Sequence, residues 1–238
     1  MKLYTPSEID QLQQELPYLV EIRQWLKSFV ARPHPDVGRP GTVCPFVPRG
    51  LKLNYIRLKV IRDQNLVQQQ IAEIVLPYLN TFQELEPTEG DAALSKAILF
   101  IFPNISPDDA PRLIDSVQKQ LKPFFVESGL MLGEFHNRTE SPGLHNPNFR
   151  PLRSPIPMLV IRPMTEADLT FLIDENPYLR IKYLEAYLKH MKFAYVQEFE
   201  QKIRDESKLI QASELLASTR AEIAIYSSIQ ELGVSTQK

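Results

Sequence analysis

Apolar residues recur along the chain with two different periods, and these periods predict its helices and strands. Leu12, Leu16 and Leu19 follow one another at helical spacing near the start of the chain. They predict a helix within residues 1–31 that is broken or kinked at Pro17, since proline lacks the amide hydrogen that a helix interior needs. The chain after residue 165 shows helical patterning almost to its end, with a division at Pro177.

The middle of the chain alternates between predicted strands and predicted helices. Two amphipathic stretches, 65–85 and 106–129, carry apolar residues at helical spacing. Short apolar or alternating stretches predict four strands, at residues 51–61, 96–102, 130–136 and 156–164.

This order of elements predicts the α+β class. We expect a mixed sheet of about four strands packed with helices, and long C-terminal helices beyond it. The expected organisation is an N-terminal helix (1–31), an α+β core domain (32–190) and a C-terminal helical extension (191–238). The C-terminal helices are expected to cover the sheet or to form the contact of a homodimer.

Charge and composition argue against nucleic-acid-binding and membrane proteins, and against disulfide-bonded or zinc-binding ones. A formal net charge of −2 gives no overall attraction to nucleic acid or to an anionic membrane, and no apolar stretch reaches the roughly 20 residues of a membrane helix. Cys44 is the only cysteine, so an internal disulfide and a paired-cysteine zinc site are excluded. We therefore expect a cytoplasmic protein without a nucleic-acid or membrane partner.

Residues 133–164 differ from an ordinary helix or strand and mark the expected site. They contain two of the four histidines, four arginines and six of the 20 prolines. The prolines predict a stiff loop over 137–155, anchored at two sheet edges by the strands that flank it. A loop that is ordered in advance lowers the cost of binding a ligand.

The arginines of this segment predict an anion pocket. Arg150, Arg153 and Arg162 lie close in sequence, Arg138 can join them, and Ser154 adds a hydroxyl. The planar guanidinium matches carboxylates and phosphates, so the pocket would hold a substrate carboxylate or the propionates of heme. The alternative is that these arginines are solvated, or pair with acids that have a structural role.

His136, His145 and Cys44 are the candidate catalytic residues. His136 ends an apolar strand two residues after Glu134, and its imidazole is a candidate ligand for a metal or heme iron, or a base. The alternative role is to close the strand end by hydrogen bonding. Cys44 is a candidate nucleophile if a histidine lies beside it, and otherwise a small buried apolar residue.

Two stretches carry a resemblance to known families. "CPFVP" (44–48) and "NPNFRPLRSPIPMLVIR" (146–162) resemble a bacterial domain family of unknown function from specialised-metabolism gene neighbourhoods, over about residues 40–190. More distantly, "NPNFRPLRS" is similar to a late segment of the YqcI/YcgG family of heme-dependent N-oxygenases. Phe149 stands where that family would place a histidine, whose role is then lost or passes to His136 or His145.

The leading hypothesis from sequence is a heme-binding oxidoreductase of specialised metabolism. The resemblance implies oxygen chemistry on a small molecule that bears an amine or a carboxylate. His136, or less readily His145, would be the axial ligand, and Arg150 and Arg153 would hold propionates or substrate. The pocket is expected beneath loops 32–50 and 137–155. The alternative is a non-catalytic protein that binds a small molecule or a partner through the arginine-rich segment 133–164.

Overall fold

A computed structural model describes residues 3–11, 17–197 and 207–234 of the chain. Leu12 and Leu16, which support the predicted first helix, lie outside the described residues. The helices are α1 (Pro6–Gln11), α2 (Pro17–Trp25), α3 (Val47–Lys52), α4 (Gln68–Val75), α5 (Tyr78–Glu84), α6 (Gly90–Ala93), α7 (Ser116–Glu127), α8 (Pro177–Gln197) and α9 (Ser207–Val234). The strands are β1 (Ile56–Val60), β2 (Ala97–Ile101), β3 (Leu130–Phe135) and β4 (Met158–Pro163).

Contacts within the chain divide it into two units. The first unit consists of residues 1–125 and 130–163, and the second of residues 126–129 and 164–238. The sheet lies in the first unit, and α8 and α9 lie in the second. The domain ranges expected from the sequence stay predictions.

The four strands of the first unit form one mixed sheet in the order β1, β2, β4, β3. β1 and β2 run parallel, while β4 is antiparallel to both β2 and β3. The prediction of an α+β fold with a four-stranded mixed sheet and C-terminal helices is confirmed.

Apolar side chains of the strands alternate between two cores, one on each face of the sheet. On β2, Ile98 and Phe100 belong to one core, and Leu99 and Ile101 belong to the other. The first core is completed by residues of α4, α5 and α7, and the second by residues of α1 and α2. Helices therefore cover the sheet on both faces, which explains the nearly continuous apolar run in β2.

Two predicted elements have different bounds in the structure, for reasons of backbone chemistry. The strand predicted over 51–61 begins only at Ile56, because α3 ends at Lys52 and Asn54 takes a left-handed conformation with φ of 56°. The single helix predicted over 65–85 is divided into α4 and α5 at Pro77, which has no amide hydrogen to continue α4.

The predicted helix over 106–129 begins later than expected. Ser106 caps only a turn, in which its hydroxyl oxygen accepts a hydrogen bond from the Asp109 amide at 3.1 Å. A π-helical turn over Pro111–Asp115 then leads into α7. Turns of this kind are often found at functional sites, and this one places Asp115 beside the loop described below.

In the second unit, α8 and α9 pack against each other. Arg180 of α8 donates to Thr219 of α9 at 2.8 Å and pairs with Glu222 one turn further on. Tyr183 and Tyr187 are buried along the inner side of α8, and this burial raises their pKa values to about 12. Within the described part of the chain, no helix combines the length and the apolar character needed to span a membrane.

Candidate functional site

The proline-rich segment is a long connection between two neighbouring strands. β3 ends at Phe135 and β4 begins at Met158, and these two residues are paired across the ladder. β3 is an edge strand, whereas β4 lies inside the sheet. We expected both ends of the loop to be anchored at sheet edges. This is wrong for the end at β4, because β4 pairs with β2 as well as with β3.

His136 closes the end of β3 through both nitrogens of its ring. Nε2 lies 2.8 Å from Oδ1 of Asp115, and Nδ1 accepts a hydrogen bond from the backbone amide of Arg138 at 3.2 Å. The side chain is only 1% exposed. Because Nδ1 accepts a hydrogen bond, the ring proton must lie on Nε2 and point at Asp115. This geometry matches the alternative role of His136, which is to close the strand end by hydrogen bonding.

Thr139 completes the turn that follows His136. Its amide donates to the carbonyl of His136 at 3.2 Å, and its hydroxyl accepts from the amide of His136 at 3.1 Å. Thr139 is itself buried. Together with the imidazole, these bonds fix the first turn of the connection, residues 136–139.

Glu134 lies beside this turn and is held by the connection. The Ser141 hydroxyl donates to its Oε1 at 2.6 Å. Burial raises the pKa of the Glu134 carboxyl, and the negative charge of Asp115 adds to this rise. The Ser141 hydrogen bond acts in the opposite direction. Glu134 is thus a carboxyl whose charged form is disfavoured by its surroundings.

The arginines of the segment are only partly brought together. Glu140 joins two of them: its Oε2 lies 3.2 Å from Nε of Arg150, and its Oε1 lies 2.7 Å from Nη2 of Arg153. These two hydrogen bonds lower the pKa of the Glu140 carboxyl. The remaining two predicted arginines lie elsewhere, with Arg138 paired to Asp108 and Arg162 donating to the Pro163 carbonyl.

Backbone carbonyls hold the two guanidinium groups in place. Arg153 donates from Nε to the carbonyl of Thr139 at 3.2 Å. Arg150 donates from Nη1 to the carbonyls of Pro147 and Phe149. Ser154, the predicted neighbouring hydroxyl, is buried and donates to the Ile156 carbonyl at 2.7 Å. The orientation of the arginines therefore does not depend on Glu140 alone.

A groove of about 740 Å³ runs between α2 and the end of the connection. Arg153 lines it from the connection, and Trp25 lines it from α2. The other lining residues are Pro17, Val20, Glu21, Gln24, Ser28, Asn137, Ser154 and Pro155. Loop 32–50, which was expected to roof the pocket, contributes none of them. The sequence analysis missed Trp25 because it assigned α2 no role beyond packing.

Aromatic contacts attach the connection to the π-helical turn that follows α2 (Leu26–Val30) and to loop 32–50. Phe149 is buried and stacks on His34, with ring centroids 4.9 Å apart. Phe29 contacts both of these rings and stacks with Trp25 at 6.1 Å. Phe149, the residue found where the resembling family would place a histidine, therefore fills a packing position.

His145 and Cys44 do not lie in the groove. His145 is exposed, and its backbone packs closely against Gly38, where an added Cβ would lie 2.8 Å from the His145 carbonyl oxygen. Cys44 is partly buried against the core on the α2 face of the sheet. Within the described residues its thiol forms no hydrogen bond with a histidine, and its role as a nucleophile stays a prediction.

Comparison with known proteins identifies the family of the chain. A family model described as "Domain of unknown function (DUF6875)" matches residues 19–208. The chain belongs to this family. The expectation of a domain family of unknown function is thereby confirmed, whereas the resemblance to heme-dependent N-oxygenases stays a prediction. Neither the curated proteins nor the solved structures gave a match.

None of the described residues is placed to act as the axial ligand of a heme in the groove. No histidine or cysteine lines it, and both ring nitrogens of His136 are already hydrogen-bonded. Iron needs a nitrogen with a free lone pair, so ligation would require His136 to leave Asp115 and its buried position. Within the described residues there is also no cluster of three His, Cys, Asp or Glu side chains able to hold a metal ion.

We expect protein expressed with a heme precursor to lack a stoichiometric Soret band, since His136 has no free nitrogen. The measurement is the absorption spectrum of the purified protein, oxidised and then reduced with carbon monoxide. Any stoichiometric band would contradict this expectation, and its loss in a folded His136→Ala or His145→Ala variant would identify the ligand.

Glu134→Gln is expected to gain stability relative to wild type as the pH rises from acid to neutral. Because the folded-state pKa of Glu134 is raised, the native protein loses stability between the unfolded-state pKa, about 4.3, and that higher value. Glutamine does not ionise and still accepts from Ser141. Urea unfolding at several pH values measures the difference, with Glu73→Gln on the exposed side of α4 as control. If the stability of the variant relative to wild type stayed constant or fell as the pH rose, ionisation of Glu134 would not destabilise the folded protein.

Proposed function

We propose that the protein is a cytoplasmic binding protein whose groove between α2 and residues 153–155 takes a small molecule with an anionic group. The observation that carries this proposal is the placement of Arg153 and Trp25 around one groove. A fixed guanidinium and an aromatic surface are the two recognition elements that a carboxylate on an apolar body requires.

The lining residues suit a ligand that is partly apolar. Pro17, Val20 and Pro155 provide apolar surface beside Trp25. Trp25 is held by Phe29 and by Phe135, whose ring meets it edge-on at 6.1 Å. A ring already fixed by its neighbours loses little conformational freedom when a ligand packs against it. The apolar body would lie on Trp25, with its anionic group at Arg153.

Binding is favoured over catalysis by the kinds of polar groups present. The groove contains Glu21, Gln24, Ser28 and Asn137 in addition to Arg153 and Ser154. The Ser28 hydroxyl is engaged with the Gln24 carbonyl at 2.8 Å. Without a lining histidine or cysteine, the groove offers hydrogen bonds and charge but no nucleophile paired with a base.

The location of the only tryptophan makes the proposal directly testable. We expect phenylpropionate to change the fluorescence of Trp25 in a saturable way, because Trp25 lines the groove and the chain has one Trp. Its neutral amide, phenylpropanamide, is expected to bind more weakly. Arg153→Gln should weaken phenylpropionate binding by about tenfold, the effect of one charge-assisted hydrogen bond.

Arg112→Gln is the matched control, since Arg112 is an exposed arginine paired with Asp109 away from the groove. It should leave the affinity for phenylpropionate unchanged. Equal binding of the acid and the amide, or an equal effect of the two arginine variants, would count against recognition of an anion at Arg153.

A further inference from the structure

Glu140 is the exposed partner in an otherwise fixed cluster. Its side chain is 72% exposed, whereas the side chains of Arg150 and Arg153 are 27% and 49% exposed. Within the described residues, the Glu140 carboxylate accepts hydrogen bonds only from these two arginines. The guanidinium groups have additional partners in the carbonyls of Thr139, Pro147 and Phe149. If the carboxylate left, both cations would remain oriented.

The backbone on either side of Glu140 is fixed independently of its side chain. Thr139 is held in the turn with His136, and Ser141 is bonded to Glu134. The Glu140 side chain can therefore turn into solvent without movement of the connection. Exposed ion pairs of this kind are weak, because water solvates the separated charges well.

The geometry at Glu140 is that of a carboxylate bound by two arginines. Each oxygen faces a different guanidinium, at 3.2 Å for Arg150 and 2.7 Å for Arg153. Arg153 also lines the groove, whereas Arg150 and Glu140 lie outside its lining, so an anion that reaches Arg153 from the groove meets a guanidinium already paired with an internal carboxylate. Two negative charges at one pair of cations repel each other, which favours exchange over joint binding.

We propose that Glu140 occupies the position of the ligand's carboxylate and that a ligand binds by displacing it from Arg150 and Arg153. This inference rests on the proposed binding function and makes it more specific. It names a carboxylate as the anionic group, adds Arg150 to the ligand-binding residues, and assigns Glu140 the role of an internal competitor.

The test compares phenylpropionate binding, followed by Trp25 fluorescence, in wild type and Glu140→Gln. Removal of the competing charge should tighten binding about threefold to fivefold, which is the size of effect expected for exposed ion pairs. The gain should disappear in the double variant Glu140→Gln/Arg150→Gln. Asp108→Asn is the matched control, because it removes an exposed acid from Arg138 without touching the cluster. Unchanged urea unfolding midpoints, and a repeat with Glu140→Ala, separate displacement from loss of structure.

The outcomes separate this inference from the proposed function. Tighter binding in Glu140→Gln, or binding that appears only in that variant, supports displacement. Wild-type binding that is unchanged or weakened in both folded Glu140 variants overturns the inference and leaves the proposed function intact. Absence of phenylpropionate binding in wild type and in both Glu140 variants overturns the proposed function and the inference together.

Discussion

The double hydrogen bond of the His136 imidazole is the interaction on which the geometry of the candidate site depends. A buried ring with two polar nitrogens requires two partners, and Asp115 and the Arg138 amide provide them. The first partner comes from the π-helical turn before α7, and the second comes from the connection itself. The imidazole thereby links the end of β3 to a helix and gives the connection a fixed starting point.

The position of Arg153 follows from this link and from aromatic packing further along the chain. Thr139, fixed in the turn with His136, offers the carbonyl that orients Arg153. Near the other end, Phe149 is anchored on His34 and Phe29. The connection is therefore held at both ends before any ligand arrives, and such preorganisation reduces the entropy lost on binding. The prolines add stiffness, but the specific contacts determine where the guanidinium lies.

Local sequence patterns predicted much of this fold. The apolar residues that begin β3 and the continuous apolar run in β2 were sufficient to place both strands, and the order of the elements predicted a mixed sheet. The arginines of the connection and the strand-end position of His136 were also visible. Where prediction failed, the cause was local backbone chemistry, as at Pro77, or the left-handed residue Asn54 before β1.

The partners of the site residues could not be predicted in the same way. Asp115 meets His136 because the π-helical turn before α7 lies at the end of β3, and Trp25 lines the same groove as Arg153 because α2 lies beside the end of the connection. No periodicity in the sequence encodes such contacts between distant segments. The sequence thus located a segment with suitable chemistry, and the fold determined that His136 serves the structure while Arg153 faces a groove.

The most direct test of this account is the tautomeric state of His136, measured by a long-range proton–nitrogen correlation spectrum of the imidazole rings in nitrogen-labelled protein. We expect a single neutral tautomer with the proton on Nε2, because Nδ1 accepts from the Arg138 amide. The assignment follows from loss of the signal in a folded His136→Ala variant. A proton on Nδ1, which would leave Nε2 free to bind iron, would contradict the structural role of His136 and restore it as a candidate ligand.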